Sequence, residues 1–126
     1  MAGTAGVATA GNRSPKRSDL KITDVKVYQY EQGKDKAVFV KIETDEGTSG
    51  WGECSPNFSP VIQQMVKVNL KPMLIGKDPL ATEPLWEDML FVNHDLGAGG
   101  GLTYAIAGVD CALWDLKGKL LGVPVY

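Results

Sequence analysis

Residues 105–126 read AIAGVDCALWDLKGKLLGVPVY, and the spacing of their apolar side chains indicates one long helix. Large apolar residues recur every three or four positions and therefore share one helical face: Ile106, Val109, Leu113, Leu116 and Leu120. Gly122 and Pro124 form a conventional stop, because glycine accepts the left-handed conformation after a last turn and proline cannot continue a helix. We predict a helix over about Leu102 to Leu121.

Upstream of this helix, residues 21–53 have the alternation of short strands. A first strand is predicted to end near Tyr30, and a second covers Lys36 to Thr44. The turn Asp45 to Thr48 leads to a short third strand, Ser49 to Glu53. Strands joined by short turns predict an antiparallel meander with one face toward solvent.

Two more helices are predicted between the strands and the long helix. Ser59 is expected to cap the first, with Pro60 at its first position and Pro72 helping to end it. Thr82 is expected to cap the second, and the glycine segment 97–101 separates it from the long helix. Strands followed by helices indicate an α+β fold, a three-stranded antiparallel meander followed by a three-helix set.

Composition narrows the class of protein. The chain has 126 residues and a net charge of −2, which suits one soluble domain and gives no reason to expect nucleic acid or a membrane as a partner. Residues 1–19 are rich in alanine, glycine and serine, so we predict a disordered tail. Cys54 and Cys111 make no disulfide framework; we expect both to be core thiols and the protein to be cytoplasmic.

The long helix resembles the signature of the mandelate racemase and muconate-lactonizing group of the enolase superfamily. The matching positions are Ala105, Ala107, Gly108, Val109, Asp110, Ala112, Leu113, Asp115, Leu116, Gly118, Lys119, Pro124 and Val125. The order of strands and helices also resembles the N-terminal capping domain of that superfamily. Four shorter motifs add to the likeness: Thr44 to Gly47, Gly50 to Glu53, Gly76 to Pro79 and Glu83 to Trp86.

The resemblance implies an enzyme that removes a proton α to a carboxylate with Mg²⁺ bound, such as an acid-sugar dehydratase, a racemase or a cycloisomerase. In the family, the metal ligands and bases lie in a C-terminal (β/α) barrel. We therefore expect residues 20–101 to form the capping domain and residues 102–126 to lead into a barrel that is not in this sequence. The expected partners are that barrel and a small carboxylate substrate. The chain alone is expected to be inactive, with no catalytic residue and no metal ligand of its own.

The resemblance also implies which residues would contact substrate, because two capping loops cover the barrel mouth in the family. The first loop maps to about Tyr30 to Asp35 and the second to Cys54 to Phe58. The candidate substrate-capping residues are Tyr30, Ser55, Asn57 and Phe58. For each of them an ordinary turn residue is the alternative.

Other reactive-looking groups are better explained as structural. Lys34 and Lys36 imitate a Lys-x-Lys base motif but fall in a predicted turn, and Lys117 and Lys119 would diverge on a helix. His94 and Asp95 are adjacent, and adjacent side chains at a helix end seldom face one another. Three further groups are assigned likewise. Asp110 and Asp115 are expected to pair with partner side chains or with the absent barrel. Segment 97–101 is expected to be a flexible connection, and Trp51, Trp86 and Trp114 to be core residues.

A second hypothesis stays open: a free-standing, non-catalytic domain that uses the same surface for self-association as a homo-oligomer or for partner binding. The long helix should separate the two hypotheses. If its apolar stripe packs against a barrel in the full enzyme, the stripe is exposed in this chain and promotes association.

Overall fold

The computed structural model describes residues 19–97 and 99–126, and the fold begins with an antiparallel sheet. The strands are β1, Ile22–Gln32, β2, Asp35–Thr44, and β3, Ser49–Cys54, in the order β1-β2-β3. Each strand pairs antiparallel with the next, so the predicted meander is confirmed. The predicted disordered tail lies outside the described residues except for Asp19.

The first turn is much shorter than predicted. In place of a loop over Tyr30 to Asp35, β1 and β2 continue to a turn of two residues that begins at Gly33 with a φ of 61°. Glu31 lies opposite Lys36 in the ladder, and their side chains form an ion pair at 3.2 Å. Glu31, Gln32 and Asp35 are polar, as loop residues usually are, but the arms of a solvent-exposed hairpin are polar as well.

One face of the sheet carries the core. Three residues of β2 alternate onto this face and are fully buried: Val38, Val40 and Ile42. In β1, the register shifts between Ile22 and Asp24, and this irregularity lets both Ile22 and Val25 point into the core.

The first helix, α1, covers residues 59–74 and contains a π-helical segment. It begins as Ser59–Gln64, continues as the π-helix Met65–Leu70 and ends in an α-helical turn, Lys71–Leu74. Pro72 therefore does not end the helix as predicted. The amide of Lys71 already bonds to a carbonyl five residues earlier, so the hydrogen-bond spacing changes just before the proline, which cannot donate.

The predicted caps of the first two helices are wrong. Phe58 precedes α1 in the left-handed conformation, and Ser59 is already helical, with no side-chain cap. The second helix, α2, spans Thr82–Val92, and Thr82 is its buried first residue rather than its cap. The hydroxyl of Thr82 instead accepts a hydrogen bond from Lys117 Nζ at 3.4 Å.

The predicted long helix is confirmed. A short 3₁₀ turn, His94–Leu96, follows α2, and the third helix, α3, spans Gly101–Leu121. Gly122 ends α3 with a φ of 67°, in the left-handed conformation that the sequence indicated. Four of the five apolar-stripe residues are between 0 and 3% exposed: Ile106, Val109, Leu113 and Leu116. The expectation that this stripe packs against a barrel, and is exposed without one, is wrong. Instead α3 packs across β3 and β2 of the sheet in this chain.

The contact between α3 and β3 has no room for side chains. A Cβ atom at Gly50 would lie 2.1 Å from the Ala112 carbonyl oxygen, and one at Gly52 would lie 2.0 Å from the Gly108 carbonyl oxygen. A Cβ atom at Gly108 would in turn lie 2.1 Å from Cys54 Sγ. We call Gly50, Gly52, Cys54, Gly108 and Ala112 the seam. It brings two backbones together because almost all of its members are small.

Two signature side chains fasten the outer edge of β3 next to the seam. The amide of Trp51 donates to Asp115 Oδ2 at 2.9 Å, and Lys119 Nζ donates to the same oxygen at 2.6 Å. Lys119 Nζ also donates to the Ser49 carbonyl oxygen at 3.1 Å. The predicted pairing of Asp115 with other side chains is therefore confirmed.

The aromatic residues and one cysteine differ from expectation. Trp51, Trp86 and Trp114 are 44, 43 and 39% exposed, so their assignment to the core is wrong. The core is formed by aliphatic residues and the seam by glycine and alanine, which leaves the indole rings on the outer faces. Cys54 is buried as predicted, whereas Cys111 is exposed. Among the described residues, no helix combines the length and the apolar character needed to cross a membrane.

Candidate substrate-capping site

The predicted substrate-facing loops lie at one end of the sheet. Gln29, Val38 and Cys54 are neighbours across β1, β2 and β3, so the hairpin turn beyond Gln29 and the loop beyond Cys54 leave the sheet at the same end. We call residues 29–34, 55–59 and Gln63 the loop end. Residues 55–58, the connection between β3 and α1, are its most irregular part.

Three of the four candidate residues come together in this connection. The amide of Asn57 donates to Ser55 Oγ at 3.2 Å, which makes a tight local turn. Phe58 follows with a φ of 60°, and no other non-glycine residue in the described ranges has a positive φ. Phe58 is 67% exposed, so the chain adopts an unfavourable backbone conformation while presenting a large apolar residue to solvent.

Tyr30, the fourth candidate, is separated from the other three. It lies on β1 opposite Ala37, and its hydroxyl is hydrogen-bonded to the side chain of Gln32. The preceding residue, Gln29, bonds to a helix, so the alternation of the strand places Tyr30 on the sheet face that points away from the helices. The assignment of these four residues to substrate contact stays a prediction.

Sequence reasoning missed a polar bridge at the loop end. Gln63 Nε2 donates to Gln29 Oε1 at 2.7 Å and to Ser59 Oγ at 3.2 Å. Ser59 is only 5% exposed, so its hydroxyl depends on this partner. The spacing of Ser59 and Gln63, one helical turn apart, was a usable signal. The link to Gln29 was not, because it joins residues that are distant in the chain.

The acidic residues of the signature do not converge. Burial raises the pKa of Asp110, against a hydrogen bond with the Trp114 side chain that lowers it. Burial would also raise the pKa of Asp115, but the hydrogen bonds from Lys119 and Trp51 outweigh it and lower that pKa. Within residues 19–97 and 99–126, no three histidine, cysteine or acidic side chains lie close enough to hold a metal ion. The described residues therefore do not fit a Mg²⁺ site.

Three of the four lysines in the Lys-x-Lys motifs have separate surface partners. Lys36 pairs with Glu31, as described for the hairpin. Lys117 Nζ lies 4.7 Å from the centre of the Trp114 ring, whereas Lys119 turns to Asp115 and the edge of β3. Lys117 and Lys119 therefore point to different partners, as expected from their positions on a helix.

The remaining motifs also lie on the surface. His94 Nε2 does contact Asp95 Oδ1, at 3.0 Å, contrary to expectation, because a 3₁₀ turn brings the adjacent side chains together. Both side chains are largely exposed, at 72 and 89%. In the glycine segment, a Cβ atom at Gly101 would meet Val61 and Met65 of α1 at 3.3 and 3.4 Å, and Ala98 lies outside the described residues. The flexibility of this segment stays a prediction.

Residues 17–126 match the family described as mandelate racemase / muconate lactonizing enzyme, N-terminal domain. Among individual proteins, the chain is 45% identical over 113 residues to a D-galactonate dehydratase of Variovorax paradoxus. The match covers 85% of this chain and 27% of the dehydratase.

Solved structures show the same fold. A mandelate racemase/muconate lactonizing protein from Paracoccus denitrificans, complexed with magnesium, superposes with a TM-score of 0.80 at 39% identity, over 85% of this chain and 29% of that one. An enolase from Pantoea ananatis with bound D-gluconate and magnesium gives a TM-score of 0.77 at 38% identity, over 85% of this chain and 26% of that one. The chain thus spans between a quarter and a third of the length of these relatives.

Proposed function

The chain belongs to the mandelate racemase / muconate lactonizing enzyme N-terminal domain family, and from this premise we propose that it is the substrate-capping part of a Mg²⁺-dependent acid-sugar dehydratase. The relatives that support this choice are a D-galactonate dehydratase and an enolase with D-gluconate and magnesium. Dehydration of such a sugar begins with loss of the proton α to its carboxylate. A racemase or a cycloisomerase would share this first step.

The observation that carries the proposal is the form of the loop end. Three candidate residues occupy one short connection, and Phe58 presents an exposed ring from a backbone conformation that costs about 1–2 kcal/mol. Unfavourable backbone conformations cluster at sites that bind or enclose ligands. In this proposal, Ser55 and Asn57 meet hydroxyl groups at the distal end of the sugar, and Phe58 excludes water from the mouth of the barrel.

The proposal assigns the metal and the acid–base chemistry to the barrel. A bound Mg²⁺ would stabilise the charge that develops on the substrate carboxylate, which is the chemistry this reaction requires. The described residues of this chain do not fit the ion, and we derive no step through it. Their proposed tasks are to bind the distal end of the substrate and to exclude water. A cytoplasmic location stays a prediction.

A domain exchange tests the proposal. Residues 17–126 would replace the matched region of the V. paradoxus D-galactonate dehydratase, to which the chain is 45% identical. We expect the hybrid to dehydrate D-galactonate or a diastereomeric sugar acid when MgCl₂ is present. The 126-residue chain alone should give no turnover under the same conditions.

The native dehydratase and its barrel without the N-terminal region are the controls. A folded hybrid that binds Mg²⁺ but converts none of a panel of sugar acids would contradict the capping function. Turnover by the pure chain would contradict the assignment of the chemistry to the barrel. Intact-mass measurements would confirm the covalent identity of each hybrid, and circular dichroism would confirm that it is folded before it is assayed.

A further inference from the structure

The hydrogen bonds at the loop end close a ring around the candidate capping residues. Gln29, Val38 and Cys54 form one row across the three strands, and the connection 55–58 continues from Cys54 into α1. Gln63 then returns from α1 to Gln29 through the 2.7 Å hydrogen bond. Ser55, Asn57 and Phe58 are therefore part of a closed ring, in which each end of their connection is bonded back to the sheet.

The ring opposes the strain at Phe58. The carbonyl of Phe58 accepts the first hydrogen bond of α1, from the Ile62 amide at 3.0 Å, so the start of the helix sets its backbone conformation. Ser59, the next residue, is buried and receives the second hydrogen bond of Gln63. The side-chain amide of Gln63 thus links the start of α1 to β1. If the start of the helix moved, Phe58 would relax to a more favourable φ.

We propose that Gln63 is a positioning residue: it fixes connection 55–58, and with it the Phe58 ring, in the geometry that encloses the distal end of the substrate. This inference rests on the proposed capping function and adds a residue to it. Gln63 itself need not touch substrate. Its effect passes through Ser59 to Phe58 on one side and through Gln29 to β1 on the other.

Amide hydrogen exchange on the 126-residue chain tests the positioning without any assay of activity. Gln63→Met keeps the length of the side chain and removes both hydrogen bonds. Because one such bond stabilises by about 1 kcal/mol, the amides of Asn57 and Ile62, which donate to Ser55 Oγ and to the Phe58 carbonyl, should exchange about fivefold faster or more in this variant. The matched control is Gln64→Met at the next, exposed position, which should leave those rates unchanged.

A conservative variant separates positioning from general destabilisation. In Gln63→Glu, the carboxylate would accept hydrogen bonds from the Ser59 hydroxyl and from the rotated amide of Gln29, so the exchange rates should return toward those of the parent chain. Equal exchange rates in Gln63→Met and Gln64→Met would overturn the inference. So would a Gln63→Glu variant that exchanges as fast as Gln63→Met.

The hybrid enzyme tests the link to substrate. Gln63→Met should raise KM for the sugar acid several-fold and leave kcat nearly unchanged, because a misplaced cap loses binding that the ground state and the transition state share. An active hybrid in which KM does not change would overturn the link to substrate. A hybrid with no activity in its parent form would count against the proposed function instead, and the exchange rates would still decide whether Gln63 positions the connection.

Discussion

The seam and the loop end differ in backbone packing: the seam is close-packed and unstrained, whereas the loop end is exposed and strained. In the seam, two elements approach so closely that a methyl group on Gly50 or Gly52 would overlap the backbone of α3. At the loop end, Phe58 projects an exposed ring from a left-handed backbone, and side-chain amides rather than close packing hold it. The seam is built for stability, whereas the loop end tolerates strain, which is the division expected between a scaffold and a binding surface.

The comparison also explains what the signature encodes. Gly108 and Ala112 form the helix side of the seam, and Asp115 and Lys119 fasten the exposed edge of β3 beside it. None of these residues lies at the loop end. In this chain the signature therefore secures how α3 packs on the sheet, and the residues proposed to meet substrate lie outside it.

The largest effect should follow from filling the seam. Gly52→Ala would place a Cβ atom 2.0 Å from the Gly108 carbonyl oxygen and 2.7 Å from the Ala112 amide nitrogen. Backbone atoms cannot rotate away, so α3 must shift, and we expect the free energy of unfolding to fall by about 3 kcal/mol or more. Urea unfolding followed by circular dichroism would measure this loss.

Gly99→Ala is the matched control for the seam. Nothing lies within 4 Å of the Cβ position at Gly99, and its φ lies outside the left-handed region. This variant should unfold at the same urea concentration as the parent chain or slightly above it. If both alanine variants had the same midpoint, the seam would not be the tightly packed region described above.

The sequence predicted the fold class and the long helix because both depend on periodicity, which is local. The alternation in β2 and the apolar stripe of α3 could be read directly, but the sequence did not show that the stripe packs on the sheet of this same chain. The sequence did not predict that Trp51 and Trp114 are exposed, because their place depends on the seam, where Gly52 and Gly108 meet although they are distant in the chain. The Gln29–Gln63 bond was missed for the same reason.

An intermediate effect should follow from releasing the edge of β3. Asp115→Ala removes the acceptor shared by the Trp51 amide and Lys119 Nζ. The carboxylate is about one-third exposed, so we expect a loss of about 1.5 kcal/mol, the lower end of the range for hydrogen bonds to a charged group. Asp115→Asn keeps an acceptor for Trp51 and should lose about half as much.

The effect of Asp115 should depend on pH. The pKa of Asp115 is lowered in the folded chain, so its stabilisation is complete above the unfolded-state pKa of about 3.9 and is lost as the pH falls through the lower folded pKa. The difference in unfolding free energy between the parent chain and Asp115→Asn should therefore be larger at pH 7 than near pH 3. A difference that stayed constant over this range would exclude a charge-dependent role for Asp115.

The smallest effect should come from the loop end, and its sign is what distinguishes this region from the seam. Phe58→Gly and Phe58→Ala both remove the exposed ring, but only alanine keeps a Cβ atom at a φ of 60°. Phe58→Gly should therefore be more stable than Phe58→Ala by about 1 kcal/mol, because of backbone strain alone. In the seam, by contrast, alanine destabilises through contact with a neighbouring backbone. If urea unfolding shows alanine to be as stable as glycine, the backbone at Phe58 is not strained. The contrast between a strained loop end and a close-packed seam would then reduce to a difference in exposure.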